Sequence, residues 1–349
     1  MNEFTNNHFY LNRDLQENIL ANINSRGTNA IILAGPKGLG KNNFILKLSK
    51  YLLCKFESED VEINKSFNFE NLIKNKSLYL FDNNSHPDFY YLTKNEEKDN
   101  KNIPIEKVRE LKSFFYKTFS VSKIKVAIIN PIEDLSINSC NLILKTLEEL
   151  PENSYVFIVS NDPVKLPETI KSRCAFFYVN RLNDEHLFSF ISEQYPDISE
   201  EEKFFLINVS LGSPDVIKEI KNKKIYKFYE SLLEDLISSK SFLNLNENNI
   251  VLINSKDQEF LQNLLNIIIN DLIKKSLFFV TEKKYLKFTL EKEKEFIHQI
   301  IKNNHYTNLM KLYSEVNKNM SDANLLNLNK PDILIDSFKD LCGINFEKV

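Results

Sequence analysis

The sequence is poor in several things, and each shortage excludes something. Its four cysteines, Cys54, Cys140, Cys174 and Cys342, lie far apart with no CxxC pair among them. Neither a zinc site nor a disulfide framework can be read from that spacing, and a reducing cytoplasm suits it best. Arginine is scarce: Arg13, Arg26, Arg109, Arg173 and Arg181 are the only five, the other basic residues being lysine. There is little net charge, −3 over 349 residues, so attraction of nucleic acid by bulk charge is not expected. Long apolar runs are missing too. The run Asn266-Ile-Ile-Ile-Asn270 is short and broken, no stretch approaches a membrane span, and the opening MNEFTNNHFYLNRD lacks the apolar core of a signal peptide. A cytoplasmic chain with no membrane partner is the expectation. What is present is ordinary for a globular protein, 42% hydrophobic and 27% charged, with a length that predicts two or three domains.

The first half alternates strands with helices. Apolar runs predict strands at Ala30–Ala34, Phe89–Leu92, Lys125–Ile129, Tyr155–Val159 and Ala175–Val179. Between them, helical spacing predicts a helix over Asn42–Cys54. A second starts at Pro104 with Val108, Leu111, Phe114 and Phe115 on one side, and a third is capped by Ser136 and stopped by Pro151. This alternation predicts an α/β fold with a parallel sheet covered on both faces. Beyond residue 181 helical periodicity takes over. Asn183-Asp184 caps a helix through Phe190, Ser199 opens another, Gly212-Ser-Pro214 begins a third, and Phe260–Leu277 and Glu293–Ile301 belong to a helical bundle. The Lys94–Asn102 stretch is expected to be a flexible surface loop.

Gly35-Pro-Lys-Gly-Leu-Gly-Lys41 follows a predicted strand and opens a predicted helix, the context a phosphate-binding loop requires. Glycines let the backbone approach phosphates, Lys41 would reach them, and the helix N-terminus favours an anion. Gly35, Pro36, Lys37, Gly38, Leu39, Gly40, Lys41 and Asn42 are therefore candidate nucleotide-binding residues. The same segment is also compatible with a plain tight turn between strand and helix. Two parts of the machinery are missing. A hydroxyl is needed after the lysine to bind magnesium, and Asn42 stands there. An Asp-Glu pair is needed at the end of a neighbouring strand, and Lys125–Ile129 ends in Asn130-Pro131. Glu133 and Asp134 fall past the strand end. This combination predicts a phosphate cradle without hydrolysis and no metal site.

Asp162-Pro-Val-Lys-Leu-Pro-Glu-Thr-Ile170 with Ser172-Arg173-Cys174 resembles the DPxKLPxTIxSRC segment of bacterial clamp loaders. Asn141-Leu-Ile-Leu-Lys-Thr-Leu-Glu-Glu149 is similar to their NALLKTLEEP helix, departing at Leu150. His86-Pro-Asp-Phe-Tyr90 and Gly212-Ser-Pro214 resemble the delta-prime branch of that family, in which Asp215 takes the place of the nucleotide-sensing arginine of motor subunits. The motifs span roughly residues 28–215. The resemblance implies a P-loop AAA+ domain (1–181), a small helical lid (182–222) and an all-helical collar for oligomerisation (223–349). It implies a subunit of DNA polymerase III with little or no ATPase of its own, acting as scaffold while the clamp is loaded on primed DNA. Its partners would be motor (gamma/tau) subunits, the delta subunit, primed DNA and the sliding clamp. Arg173 would reach the ATP site of the adjacent motor subunit, where a guanidinium supplied in trans stabilises developing phosphoryl charge; alone, it could equally form a structural ion pair at its strand end. The resemblance leaves ATP or ADP as a ligand held without hydrolysis and contacted by Asn161, with Asp215 weakening such binding. The family's four-cysteine zinc module is not expected, because Cys54 stands alone; His86 is expected to pack or cap a turn.

Other features have plainer readings. Cys140, with Leu144 and Leu147, is expected in the core. Cys174 is expected to pack at a strand start. Phe114–Phe119 reads as core packing rather than a base-stacking platform. Lys107, Arg109 and Lys112 could meet template phosphates or simply form a solvated helix face. Two alternatives stay open: an ATP-hydrolysing motor subunit of the same complex, and a P-loop protein with no replication role.

Overall fold

A computed structural model describes residues 13–25, 28–57, 75–94, 102–239, 259–326, 328 and 330–342. Arg26 and nearly all of the Lys94–Asn102 loop lie outside the described residues. The described chain divides into two units. One comprises residues up to Leu182 together with Ser213–Asp215, and the other comprises Asn183–Gly212 and the residues from Val216 onward.

The first unit is built on five parallel strands: β1 (Ala30–Ala34), β2 (Phe89–Leu92), β3 (Lys125–Ile129), β4 (Ser154–Ser160) and β5 (Ala175–Tyr178), in the order β2-β3-β4-β1-β5. β1 and β3 are buried at every position, as strands covered on both faces must be. Alternation of side chains sends Ile31 and Leu33 to one face and Ala30, Ile32 and Ala34 to the other. The first face is covered by α1 (Arg13–Asn24), α2 (Lys41–Lys55) and α3 (Lys76–Asp82), through Ile19, Phe44, Leu48, Leu52 and Phe81. The second is covered by α4 (Ile105–Phe115), α5 (Ile137–Glu148) and α6 (Glu168–Lys171), through Val108, Leu111, Phe115, Ile143 and Ile170. Fully burying such a side chain contributes about 1.5–3 kcal/mol, and the two layers hold the strand ends where the site is built.

The predicted strands occur within one residue of their expected bounds, Pro104 stands at the start of α4, and Ser136 caps α5, as expected. Three helices, α1, α3 and α6, were not foreseen. β3 is not the immediate neighbour of β1, because β4 lies between them. Only part of the Phe114–Phe119 run is core: Phe114 and Phe115 are buried, while Tyr116 and Phe119 are exposed.

His86-Pro-Asp88 has a structural task. Asp88, fully buried, accepts the backbone N–H groups of Ser120, Val121 and Ser122 at 2.7–2.9 Å. His86 Nδ1 accepts from the Asp88 N–H. This carboxylate shapes the turn entering β3.

The second unit is helical. α7 (Asp184–Gln194) runs a turn past the expected end at Phe190, and its cap Asn183 accepts from the His186 N–H. α8 (Glu200–Ser210) is capped by Ser199. α9 (Pro214–Asn222) is followed by helices Ile225–Ser239, Glu259–Glu282, Glu291–Asn303, Tyr306–Leu326 and Lys330–Leu341. The 24-residue helix Glu259–Glu282 buries Leu264, Leu265, Ile268, Ile269, Leu272 and Ile273 and packs against three of the helices after it in sequence.

Candidate functional site: a phosphate loop and a distant arginine

The loop Gly35–Gly40 joins β1 to α2 and carries positive φ at Gly35, Gly38 and Gly40. A Cβ on Gly35 would lie 2.3 Å from the Val179 carbonyl oxygen, and one on Gly38 would lie 2.2 Å from Ser213 Oγ. The close approach is real bonding: the Gly38 carbonyl accepts from Ser213 Oγ at 2.9 Å and from the Asp215 N–H at 3.2 Å. The loop therefore clasps Ser213–Asp215 within its own unit. Gly38→Ala is expected to cost about 1–3 kcal/mol, from left-handed backbone and steric overlap together. A denaturant midpoint unchanged from the parent would contradict this.

Lys41 does not extend from the loop. It is buried, and its Nζ donates to the carbonyls of Gly35 (2.7 Å) and Pro36 (2.6 Å). Burial brings its pKa down to about 8, against the opposing pull of Glu133 and Asp215. One cation thus faces two carboxylates, a poor balance for holding phosphate.

Glu133 lies on the 3-10 turn Ile132–Asp134 that follows β3. Its Oε1 accepts from Ser160 Oγ (2.5 Å) and from the N–H groups of Asn161 and Asp162 (3.0 Å each). The carboxylate therefore caps the end of β4, and its other oxygen is buried without a partner among the described residues. Asn161, expected to contact nucleotide, is tied through its backbone to this cap. The sequence placed Glu133 past the strand end, as found, but its role was missed.

The magnesium positions are bridged by a residue that sequence reasoning passed over. Asn130 Nδ2 donates to Tyr91 Oη at 2.7 Å, and the tyrosine hydroxyl donates to Asn42 Oδ1 at 3.0 Å. Two amides and a phenol form a neutral relay where a hard cation needs anionic oxygens. These residues do not fit magnesium. Alternation along β2 put Tyr91 opposite in direction to Tyr90, but the partner of either depended on strand order.

Arg173 lies at the other end of the sheet. It precedes β5, whose Ala175 pairs with Ile31 and whose Tyr178 pairs with Ala34 beside the loop, and its carbonyl accepts from Thr28 Oγ1. At about 3.3 Å per residue, it is roughly 15 Å from its own phosphate loop. Its side chain is 38% exposed and pairs with Glu148, Nε donating to Oε1 at 2.7 Å and Nη2 lying 2.5 Å from it. A pair this exposed contributes about 0–1 kcal/mol.

The remaining residues fall out more simply. Burial raises the pKa of Cys54 and of Cys174 to about 12, and Cys140 packs against the second core face. Lys107 donates to the Thr93 carbonyl, Lys112 pairs with Glu149, and Arg109 is exposed. Among the described residues no helix is long and apolar enough to cross a membrane.

Residues 12–183 match the family model described as DNA polymerase III, delta subunit. Among curated relatives, the DNA polymerase III subunit delta' of Pseudomonas aeruginosa is 28% identical over 185 residues, which cover 53% of each chain. That of Escherichia coli is 25% identical over 205 residues, 59% of this chain and 58% of the relative. The DNA polymerase III subunit gamma of Buchnera aphidicola is 30% identical over 162 residues, 46% of this chain and 41% of the relative. The chain spans about half the length of the curated relatives it matches. Residues 12–183, with their five-stranded parallel sheet and glycine-rich loop, are similar to the delta-prime clamp-loader family of DNA polymerase III.

Proposed function

We propose that the protein is a non-motor, delta-prime-like subunit of a clamp loader, a scaffold that donates Arg173 to the ATP site of an adjacent motor subunit. The observation that carries this reading is the division of the chemistry across the sheet. At the loop end, Lys41 is turned inward and Tyr91 stands between the two residues that should hold magnesium. At the other end, a partly exposed guanidinium cannot reach that loop. An arginine so placed can serve another chain's phosphate but not its own. The AAA+ base (1–181), lid (182–222) and collar (223–349) fit this role, with the collar joining the subunits. Motor (gamma/tau) subunits, the delta subunit, primed DNA and the sliding clamp are the proposed partners, in the cytoplasm.

The test is reconstitution of motor and delta subunits with and without this chain, followed by DNA-stimulated ATP hydrolysis. Stimulation that needs the chain supports the reading, and equal turnover without it counts against it. A motor role is favoured by the retained Gly35–Lys41 pattern and the gamma relative. Magnesium-dependent hydrolysis by the purified chain, abolished by Lys41→Ala, would establish that role instead; the inward lysine and the Tyr91 relay favour no such activity.

A further inference from the structure

An arginine carries five N–H donors in a planar fork. In Arg173, Nε donates to Glu148 Oε1 at 2.7 Å, and Nη2 lies 2.5 Å from the same oxygen. Nη1 donates to the Thr169 carbonyl at 2.9 Å, with a longer 3.4 Å contact to Ser172 Oγ. The guanidinium is thus tied to α5 through Glu148 and to α6 through the Thr169 carbonyl. The guanidinium stays 38% exposed between these anchors, and a planar guanidinium can grip two phosphate oxygens at once.

Held this way, the side chain has already lost the rotamer freedom that a docking arginine would otherwise surrender. The pair is too exposed to matter much for stability, so its geometry calls for a different explanation. On the strength of the trans-arginine reading above, we propose that Glu148 is a positioning residue: it holds the Arg173 guanidinium in one orientation, ready for the neighbouring subunit's phosphate. Glu148 touches no substrate and acts only through Arg173.

The test uses full-length chain carrying Glu148→Ala, Glu148→Gln, Arg173→Ala, or Glu148→Ala with Arg173→Ala, each reconstituted with motor and delta subunits. Single-turnover hydrolysis is followed as a function of ATP concentration. Glu148→Ala is expected to slow hydrolysis at the facing site roughly 10–100-fold, the scale of an ångström-level misplacement. The ATP concentration at half-saturation should not change, because the motor's own pocket binds the nucleotide. Glu148→Gln keeps an oxygen for Nε and should recover most of the rate. The double variant should be no slower than Arg173→Ala alone. Unchanged or faster hydrolysis in Glu148→Ala, a shift in half-saturation in place of a slower rate, or additive losses in the double variant would each overturn the positioning role. Unchanged hydrolysis in Arg173→Ala would instead overturn the trans-arginine reading itself, so the two failures are distinguishable.

Discussion

Arg173→Ala is expected to slow ATP hydrolysis at the motor site it faces by on the order of 10³-fold, the lower range for an arginine supplied in trans. The size of the effect follows from when the charge is needed. Negative charge spreads over the phosphoryl oxygens in the transition state, and a guanidinium stabilises it most where water is excluded. Arg173→Lys should recover only part of the rate, because an ammonium keeps the charge but loses the fork. Assembly should survive both changes, since the native pair with Glu148 is partly solvent-exposed and contributes little to stability. Co-elution of the reconstituted complex checks assembly, and single-turnover hydrolysis checks chemistry. Hydrolysis that remains at the parental rate in an intact complex would leave Arg173 as a structural ion pair.

Much of the fold could be read locally, and the exceptions share a cause. β1 and β3 announce themselves because a strand buried on both faces must be apolar throughout. The caps at Ser136, Asn183 and Ser199 are chemical and equally local. By contrast, α3 spans seven residues and buries little beyond Ser77 and Phe81, so its periodicity is too short to register. At the site, the sequence shows amides at positions 42 and 130, but not what joins them. Tyr91 meets both only because β2 pairs with β3 while β4 separates β3 from β1, and strand order leaves no mark on local periodicity. Glu133 was hidden for the same reason, since its partners are the Ser160 hydroxyl at the end of β4 and the N–H groups of Asn161 and Asp162 just after it. The Lys275–Glu293 pair was likewise illegible, because nothing in the spacing of two helices says that their charged residues meet.

That pair supports the largest stability effect expected in the chain. In the helical unit, Lys275 and Glu293 have side chains 1% and 2% exposed and meet at 2.6 Å. Lys275 also pairs with Asp271 at 2.6 Å, and Glu293 accepts from Tyr229 Oη at 2.6 Å and from the Leu290 N–H at 3.0 Å. The network joins helices Ile225–Ser239, Glu259–Glu282 and Glu291–Asn303. Removing one partner strands a buried charge, so Glu293→Ala is expected to destabilise the unit by about 3–5 kcal/mol. Replacing both charges, Lys275→Met with Glu293→Leu, should cost far less, because desolvation of both ions is relieved at once. Burial pulls the Lys275 pKa down, but Asp271 and Glu293 carry it above its ordinary 10.5. A lysine whose folded pKa is raised contributes fully below its unfolded value and loses that contribution as pH rises through the folded one. The parent should therefore show no pH dependence from Lys275 near neutrality and a decline only above about pH 10.5, a decline that is shallower in the double replacement. Chemical denaturation across that range tests both claims. A single variant as stable as the parent, or a double variant less stable than Glu293→Ala, would mean that packing around these residues holds the three helices, not the charges between them.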